Sequence, residues 1–154
     1  MKNDLEISTE PMPAIYAEKI RTLRTRSCSL EIPERENDVF ILHTLLGIEL
    51  KVGRRRFASP DLATARYMRV FARLGCRSFA IPYDITKIST LADELETAWQ
   101  LSLLTLETSS AGGTDRELKR NRSRLFKSIR SRIAEIGPGD RMPEFNLSTK
   151  QRKT

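Results

Sequence analysis

The residues best suited to a chemical task are the lysines and arginines near the C-terminus. Residues 115–154 contain 12 Lys/Arg and 5 Asp/Glu, whereas residues 1–114 contain 15 of each. The formal net charge of +7 therefore comes entirely from the last quarter of the chain. A basic segment attached to a neutral body is typical of a polyanion-binding protein, because its positive potential attracts phosphates.

Within this segment, residues 115–136 have the periodicity of an amphipathic helix, and Gly137-Pro138-Gly139 ends the pattern. One arc of this helix is apolar and the adjoining arc is basic. On the basic arc we predict phosphate contacts by Lys119, Arg120, Arg124, Lys127 and Arg130. The expected partner is nucleic acid or another polyanion, bound without strong sequence readout.

A second cluster of bases, Arg54, Arg55 and Arg56, follows an alternating strand pattern and precedes a helix. In open parallel sheets, the loops at the carboxyl ends of strands line a common crevice. A candidate site for a small phosphorylated ligand would therefore combine these arginines with residues of other loops, namely Arg35, Tyr83 and Asp84. Alternatively, the three arginines extend an edge strand and protect it from pairing.

Catalytic and metal-binding patterns are not found in the sequence. His43 is the single histidine and lies among apolar residues, without an identifiable acid or nucleophile to work with. Cys28 and Cys76 fit neither a disulfide framework nor zinc-ligand spacing. We therefore predict a non-enzymatic protein with no cofactor and no metal.

The lack of a recognisable targeting signal in the sequence favours the cytoplasm. The N-terminus lacks the apolar region of a secretory signal. No apolar run approaches the roughly 18–20 residues that span a bilayer. Two unpatterned thiols also suit a reducing compartment.

The elements that position these residues form one body with appended segments, because 154 residues at 39% hydrophobic content suit one domain. We predict a flexible leader at 1–13 and an α/β body at 14–107. A small, polar, glycine-containing linker follows at 108–114. The basic helix then occupies 115–137, and a disordered basic tail occupies 138–154.

Within the body, patterns predict strands at 27–32, 48–52 and 78–81, and helices at 14–25, 39–46, 59–74 and 85–107. This alternation predicts a small, largely parallel three-stranded sheet flanked by helices. Residues 39–46 are nearly all apolar, and we favour a helix that Gly47 terminates. If they form a strand instead, the fold is α+β with a hairpin.

A different function is also compatible with these patterns. From Trp99 onward the helix at 85–107 is apolar on more than one side, and the helix at 115–136 has its own apolar stripe. Both could contact another subunit, as in a homo-oligomeric or partner-binding assembly protein whose charge meets an acidic protein surface. A membrane-surface helix is less favoured, because Phe126 is the only aromatic residue on the apolar arc.

Overall fold

The computed structural model describes residues 11–137, so the predictions for residues 1–10 and 138–154 lie outside the described chain. Helix α1 (Pro11–Ile15) continues into one turn of π-helix (Tyr16–Ile20). The remaining elements are β1 (Thr25–Ser29), β2 (Val39–Thr44), β3 (Gly47–Val52), β4 (Arg55–Ser59), α2 (Leu62–Leu74), β5 (Ser78–Pro82), α3 (Ile85–Ser109) and α4 (Asp115–Ile136).

The strands form two antiparallel sheets, so the fold is α+β and the predicted parallel sheet is wrong. Strands β2, β3 and β4 form a meander, and β1 pairs with β5 in a separate two-stranded sheet. The predicted strands at 48–52 and 78–81 exist, but they belong to different sheets. Two-residue connections join β2 to β3 and β3 to β4, and a parallel crossover needs a dozen residues or more.

The predicted helix at 39–46 is also wrong, because these residues form β2 and the turn of a hairpin. Val39 faces the core and Phe40 faces outward, but both are apolar, so no polar alternation marks the strand. Gly47 does not cap a helix. It has a φ of 129° and pairs with Thr44 to close the turn.

The helices predicted at 59–74, 85–107 and 115–137 are confirmed with shifted ends, and the helix predicted at 14–25 is present in part as α1 and the π-helical turn. The cap of α2 is Asp61, whose carboxylate accepts a hydrogen bond from the Thr64 amide at 2.7 Å, whereas Ser59 ends β4. Helix α3 extends to Ser109, two residues into the predicted linker. Helix α1 begins at Pro11, within the predicted leader, and buries Met12 and Pro13.

Helix α2 is central, since it contacts both sheets, α3 and α4. An aromatic cluster fills the core around it: Tyr67 and Phe71 lie on α2, Phe79 on β5 and Tyr16 on the π-helical turn. The rings of Phe71 and Phe79 stack with centroids 4.4 Å apart. All four side chains are fully buried and supply much of the apolar surface removed from water.

Two tyrosine hydroxyls take the place of a third strand beside β5. The Ala80 amide donates to the Tyr16 hydroxyl at 2.8 Å, and the Tyr67 hydroxyl donates to the Ala80 carbonyl at 2.6 Å. The Tyr16 hydroxyl in turn donates to the carbonyl of Gly137, just after α4. Tyr16 therefore satisfies buried backbone groups and ties the end of the basic helix to the core.

The Tyr16 hydroxyl makes the free energy of unfolding depend on pH in the alkaline range. Burial raises the pKa of Tyr16 to about 12, although the Ala80 hydrogen bond acts to lower it. The unfolded chain therefore releases this proton first above about pH 10, and stability falls as pH rises from about 10 to 12. The difference between these pKa values corresponds to roughly 3 kcal/mol.

Tyr16→Phe tests this dependence by urea unfolding at a series of pH values. At pH 8 the variant should lose about 1–3 kcal/mol, because two buried backbone groups lose a partner. Above pH 10 its deficit relative to the wild type should shrink, since phenylalanine does not ionise. The matched control is Tyr83→Phe, because the buried Tyr83 hydroxyl has no hydrogen-bond partner among residues 11–137 and its loss should be neutral. A deficit for Tyr16→Phe that stays constant across the pH series would contradict the prediction.

Candidate nucleic-acid interface

Helix α4 is held against the body by its apolar face. A capping box begins the helix, in which Thr114 and Glu117 each accept a hydrogen bond from the other's backbone amide. Phe126, Ile129 and Ile133 are buried, and the Phe126 ring stacks on Trp99 of α3 at 4.8 Å between centroids. The apolar stripe considered above for an assembly contact is thus used inside the chain, whereas Leu101 and Leu104 of α3 remain exposed.

Two arginines of α4 strengthen this packing. Arg122 binds Glu36 through two nitrogens, with its Nε 2.9 Å from Oε1, and this hydrogen bonding raises the pKa of Arg122. Arg130 donates from Nη1 to the Leu74 carbonyl at 2.7 Å, at the C-terminal end of α2. Arg130 was predicted to contact phosphate, but its half-buried guanidinium is engaged in the fold.

The opposite face of α4 carries a row of five basic side chains, which we call the outward stripe: Arg116, Lys119, Arg120, Arg124 and Lys127. All five side chains are exposed, and none forms an ion pair within residues 11–137. At about 1.5 Å per residue, the stripe is roughly 16 Å long. Sequence reasoning missed Arg116, although its four-residue spacing from Arg120 and Arg124 places it on the same face.

The arginines of α2, in contrast, form ion pairs with carboxylates of α3. Arg66 pairs with Asp93 of α3, whereas Arg69 and Arg73 share Glu96 at 2.8 and 3.2 Å. Arg73 also lies over the Trp99 ring, 5.3 Å from its centroid. These charges hold α2 to α3, so they add little free positive potential to the surface.

The second predicted cluster lies in the β3–β4 turn and on the edge strand β4. Arg55 contacts Glu31 at 3.0 Å, and Arg56 contacts Glu49 at 3.3 Å. Arg54 is exposed in the turn and has no ion-pair partner in the described part of the chain. Carboxylates therefore partly neutralise this cluster.

The predicted crevice of Arg35, Tyr83, Asp84 and Arg54–Arg56 depended on a parallel sheet. Because the sheets are antiparallel, the argument for this crevice no longer holds. Asp84 caps α3 by accepting hydrogen bonds from the Thr86 amide and hydroxyl, which lowers the pKa of Asp84. Tyr83 lies under the Arg24 guanidinium, 5.3 Å from the ring centroid. Arg35 lies in the β1–β2 connection, where its backbone meets Gly75. None of the three is on the same sheet as Arg54–Arg56.

A shallow groove does lie between α4 and the start of β5, lined in part by Glu34, Cys76, Arg77 and Arg130. Burial raises the pKa of the Cys76 thiol to about 12, so this sulfur stays protonated and weakly nucleophilic at neutral pH. The Arg77 Nε donates to the Ile32 carbonyl at 2.8 Å. The two arginines of the groove are thus both bonded to backbone carbonyls, and we assign the groove no chemistry.

Over residues 11–137, no three His, Cys, Asp or Glu side chains are grouped so as to hold a metal ion. The same part of the chain contains no helix that is both long and apolar enough to cross a membrane. No known protein family, curated protein or solved structure matches the chain. Its function is therefore inferred from the geometry of α4 and its surroundings.

Proposed function

We propose that the protein binds nucleic acid through phosphate contacts made by the outward stripe of α4. The observation that carries this proposal is the grouping of five exposed basic side chains, unpaired within the described chain, on one face of α4. Arginines on α2 and β4 are paired with carboxylates. In contrast, five lysine and arginine side chains on one face of α4 are exposed and have no ion-pair partner in the described chain. Unpaired lysine and arginine side chains at this density can displace the counterions condensed on a nucleic-acid phosphate backbone.

The way α4 is docked favours contact with the sugar–phosphate backbone of the nucleic acid over recognition of its nucleotide bases. One face of the helix packs on the body, so only the opposite face is available to a ligand. That face offers guanidinium and ammonium groups together with the exposed hydroxyls of Ser123, Ser128 and Ser131, which are phosphate-contacting groups. No aromatic side chain of α4 is exposed to stack on a base. We therefore expect similar affinity for unrelated sequences.

The test is the salt dependence of duplex binding by the full chain. Fluorescence anisotropy with a labelled duplex of random sequence should give a log–log slope of about −4.5 between 0.05 and 0.3 M salt, because about five phosphates are neutralised at about −0.9 each. A second, unrelated duplex should bind with an affinity within a few-fold. A flat salt response, or no binding at 0.05 M salt, would refute the proposal.

A further inference from the structure

The two free edges of the three-stranded sheet differ in chemistry. The edge strand β4 and its turn carry Arg54, Arg55 and Arg56, and charged side chains of this kind discourage edge-to-edge pairing. The other edge strand, β2, reads Val-Phe-Ile-Leu-His-Thr and contains no Lys, Arg, Asp, Glu or Pro. In the described chain β2 has β3 as its only strand neighbour. One edge is therefore protected, and the other is open to a further strand.

The hairpin register shows which backbone groups of β2 face outward. Thr44 and Gly47 close the two-residue turn, so hydrogen-bonded pairs with β3 recur at every second residue from Thr44. The amides and carbonyls of Val39, Ile41 and His43 are consequently directed away from β3. These residues form a regular row of donors and acceptors at the free edge.

Large apolar side chains are exposed along this strand and its turn. Phe40 is 58% exposed on the outer face of the sheet, beside half-buried Leu42. Leu45 and Leu46 at the turn are 106% and 93% exposed. Exposed apolar side chains that lie close together are typical of interaction surfaces.

We propose that β2 pairs in antiparallel fashion with β2 of a second copy of this chain, extending the sheet across a twofold axis. With Ile41 opposite Ile41 of the second copy, Val39 lies opposite His43, and all three outward-facing residues meet in hydrogen-bonded pairs. On the outer face, Phe40 then lies beside Leu42 of the second copy, an aromatic–aliphatic cross-strand pair. The strand is thus complementary to itself, whereas pairing through β4 would bring the arginines of two copies together.

Sedimentation velocity on the full chain tests the assembly. The expected mass is twice 17.6 kDa, or 35.2 kDa. Amide hydrogen exchange locates the contact, since the Ile41 and His43 amides should exchange slowly in the dimer and faster on dilution. The outward-facing amides of β4, such as that of Ala58, should exchange rapidly at both concentrations.

Substitutions separate this edge from other surfaces. His43→Pro removes an outward amide from an exposed residue without breaking the β2–β3 ladder, and it should shift the mass to 17.6 kDa. Phe40→Glu, which leaves the backbone intact, should do the same. The matched control is Ala58→Pro on the β4 edge, which should remain dimeric.

Three results would overturn the proposal. One is a wild type that is monomeric at 0.5 mM. Another is dissociation of Ala58→Pro to the same extent as His43→Pro. The third is a dimer that survives Phe40→Glu with no concentration dependence at the Ile41 amide, which would place association at another surface, such as the one around Leu101 and Leu104.

Discussion

Replacing Arg116, Arg120 and Arg124 with glutamine should weaken duplex binding roughly 100-fold at 0.15 M salt. The three side chains follow one another at four-residue spacing on the exposed face of α4, with no ion pair in the described chain. If the three arginines bind phosphates as proposed, their loss should remove about three contacts and make the log–log salt slope shallower by about 2.7. Anisotropy titrations at several salt concentrations measure both quantities in one experiment.

Two further triple variants show whether position or total charge controls binding. Arg24→Gln/Arg26→Gln/Lys87→Gln also removes three exposed positive charges, but from the region of β1 and the start of α3. This control should stay within about threefold of the wild type. A loss as large as that of the α4 variant would mean that net charge alone drives binding, and the role of the outward stripe would be rejected.

The second variant, Arg54→Gln/Arg55→Gln/Arg56→Gln, tests the other predicted basic cluster, at the β3–β4 turn and on β4. Because Glu31 and Glu49 already oppose two of these arginines, we expect a smaller loss than for the α4 variant. All three proteins should unfold at similar temperatures, since the substituted side chains are exposed.

Gly75→Ala should lower the free energy of unfolding by about 3–5 kcal/mol. Gly75 ends α2 with a φ of 85°, a left-handed conformation that costs an alanine about 1–2 kcal/mol. An added Cβ would also lie 2.4 Å from the backbone nitrogen and oxygen of Arg35. Backbone atoms cannot rotate aside, so the connection between β1 and β2 would have to move.

That connection also supports the basic helix. Asn37 donates hydrogen bonds to Ala72 and Arg73 carbonyls at the end of α2, and Glu36 binds Arg122. Displacing it should therefore loosen the docking of α4 as well as destabilise the core. Urea unfolding measures the total loss, and hydrogen exchange in α4 reports the local effect.

Gly53→Ala is the matched control for Gly75→Ala. Gly53 has a φ of 62°, but an added Cβ would meet no atom within 4 Å. Its cost should be limited to the conformational part, about 1–2 kcal/mol. Equal losses for the two variants would show that the close approach of Arg35 has no energetic importance.

The helices were predictable from sequence because their signals are local. Asp61 and Gly75 bound α2, and Thr114 with Glu117 begins α4, all within a few residues of the turns they cap. The apolar stripes of α3 and α4 likewise repeat along one continuous segment. Such signals need no knowledge of distant parts of the chain.

The sheets were not predictable in the same way, because strand pairing is decided between distant segments. Both faces of β2 are apolar, so its sequence lacks the alternation that distinguishes a strand from a helix. Strand β1 pairs with β5 across roughly fifty residues, and no local pattern encodes that choice. Tyr16 and Tyr67 then complete the other side of β5 with hydroxyl groups, which no strand pattern anticipates.

The sequence by itself determined that the positive charge is concentrated after residue 114 and that residues 115–136 form an amphipathic helix. Only the tertiary structure decided which lysine and arginine side chains lack a partner within the described chain. Arg122 finds Glu36 from 86 residues away, and Arg130 reaches the end of α2 from 56 residues away. An ion pair or a cap depends on distance in space, whereas helical periodicity depends on distance along the chain. This difference is why the engagement of Arg130 within the fold, and the position of the outward stripe, could be described only once α4 was docked on the body.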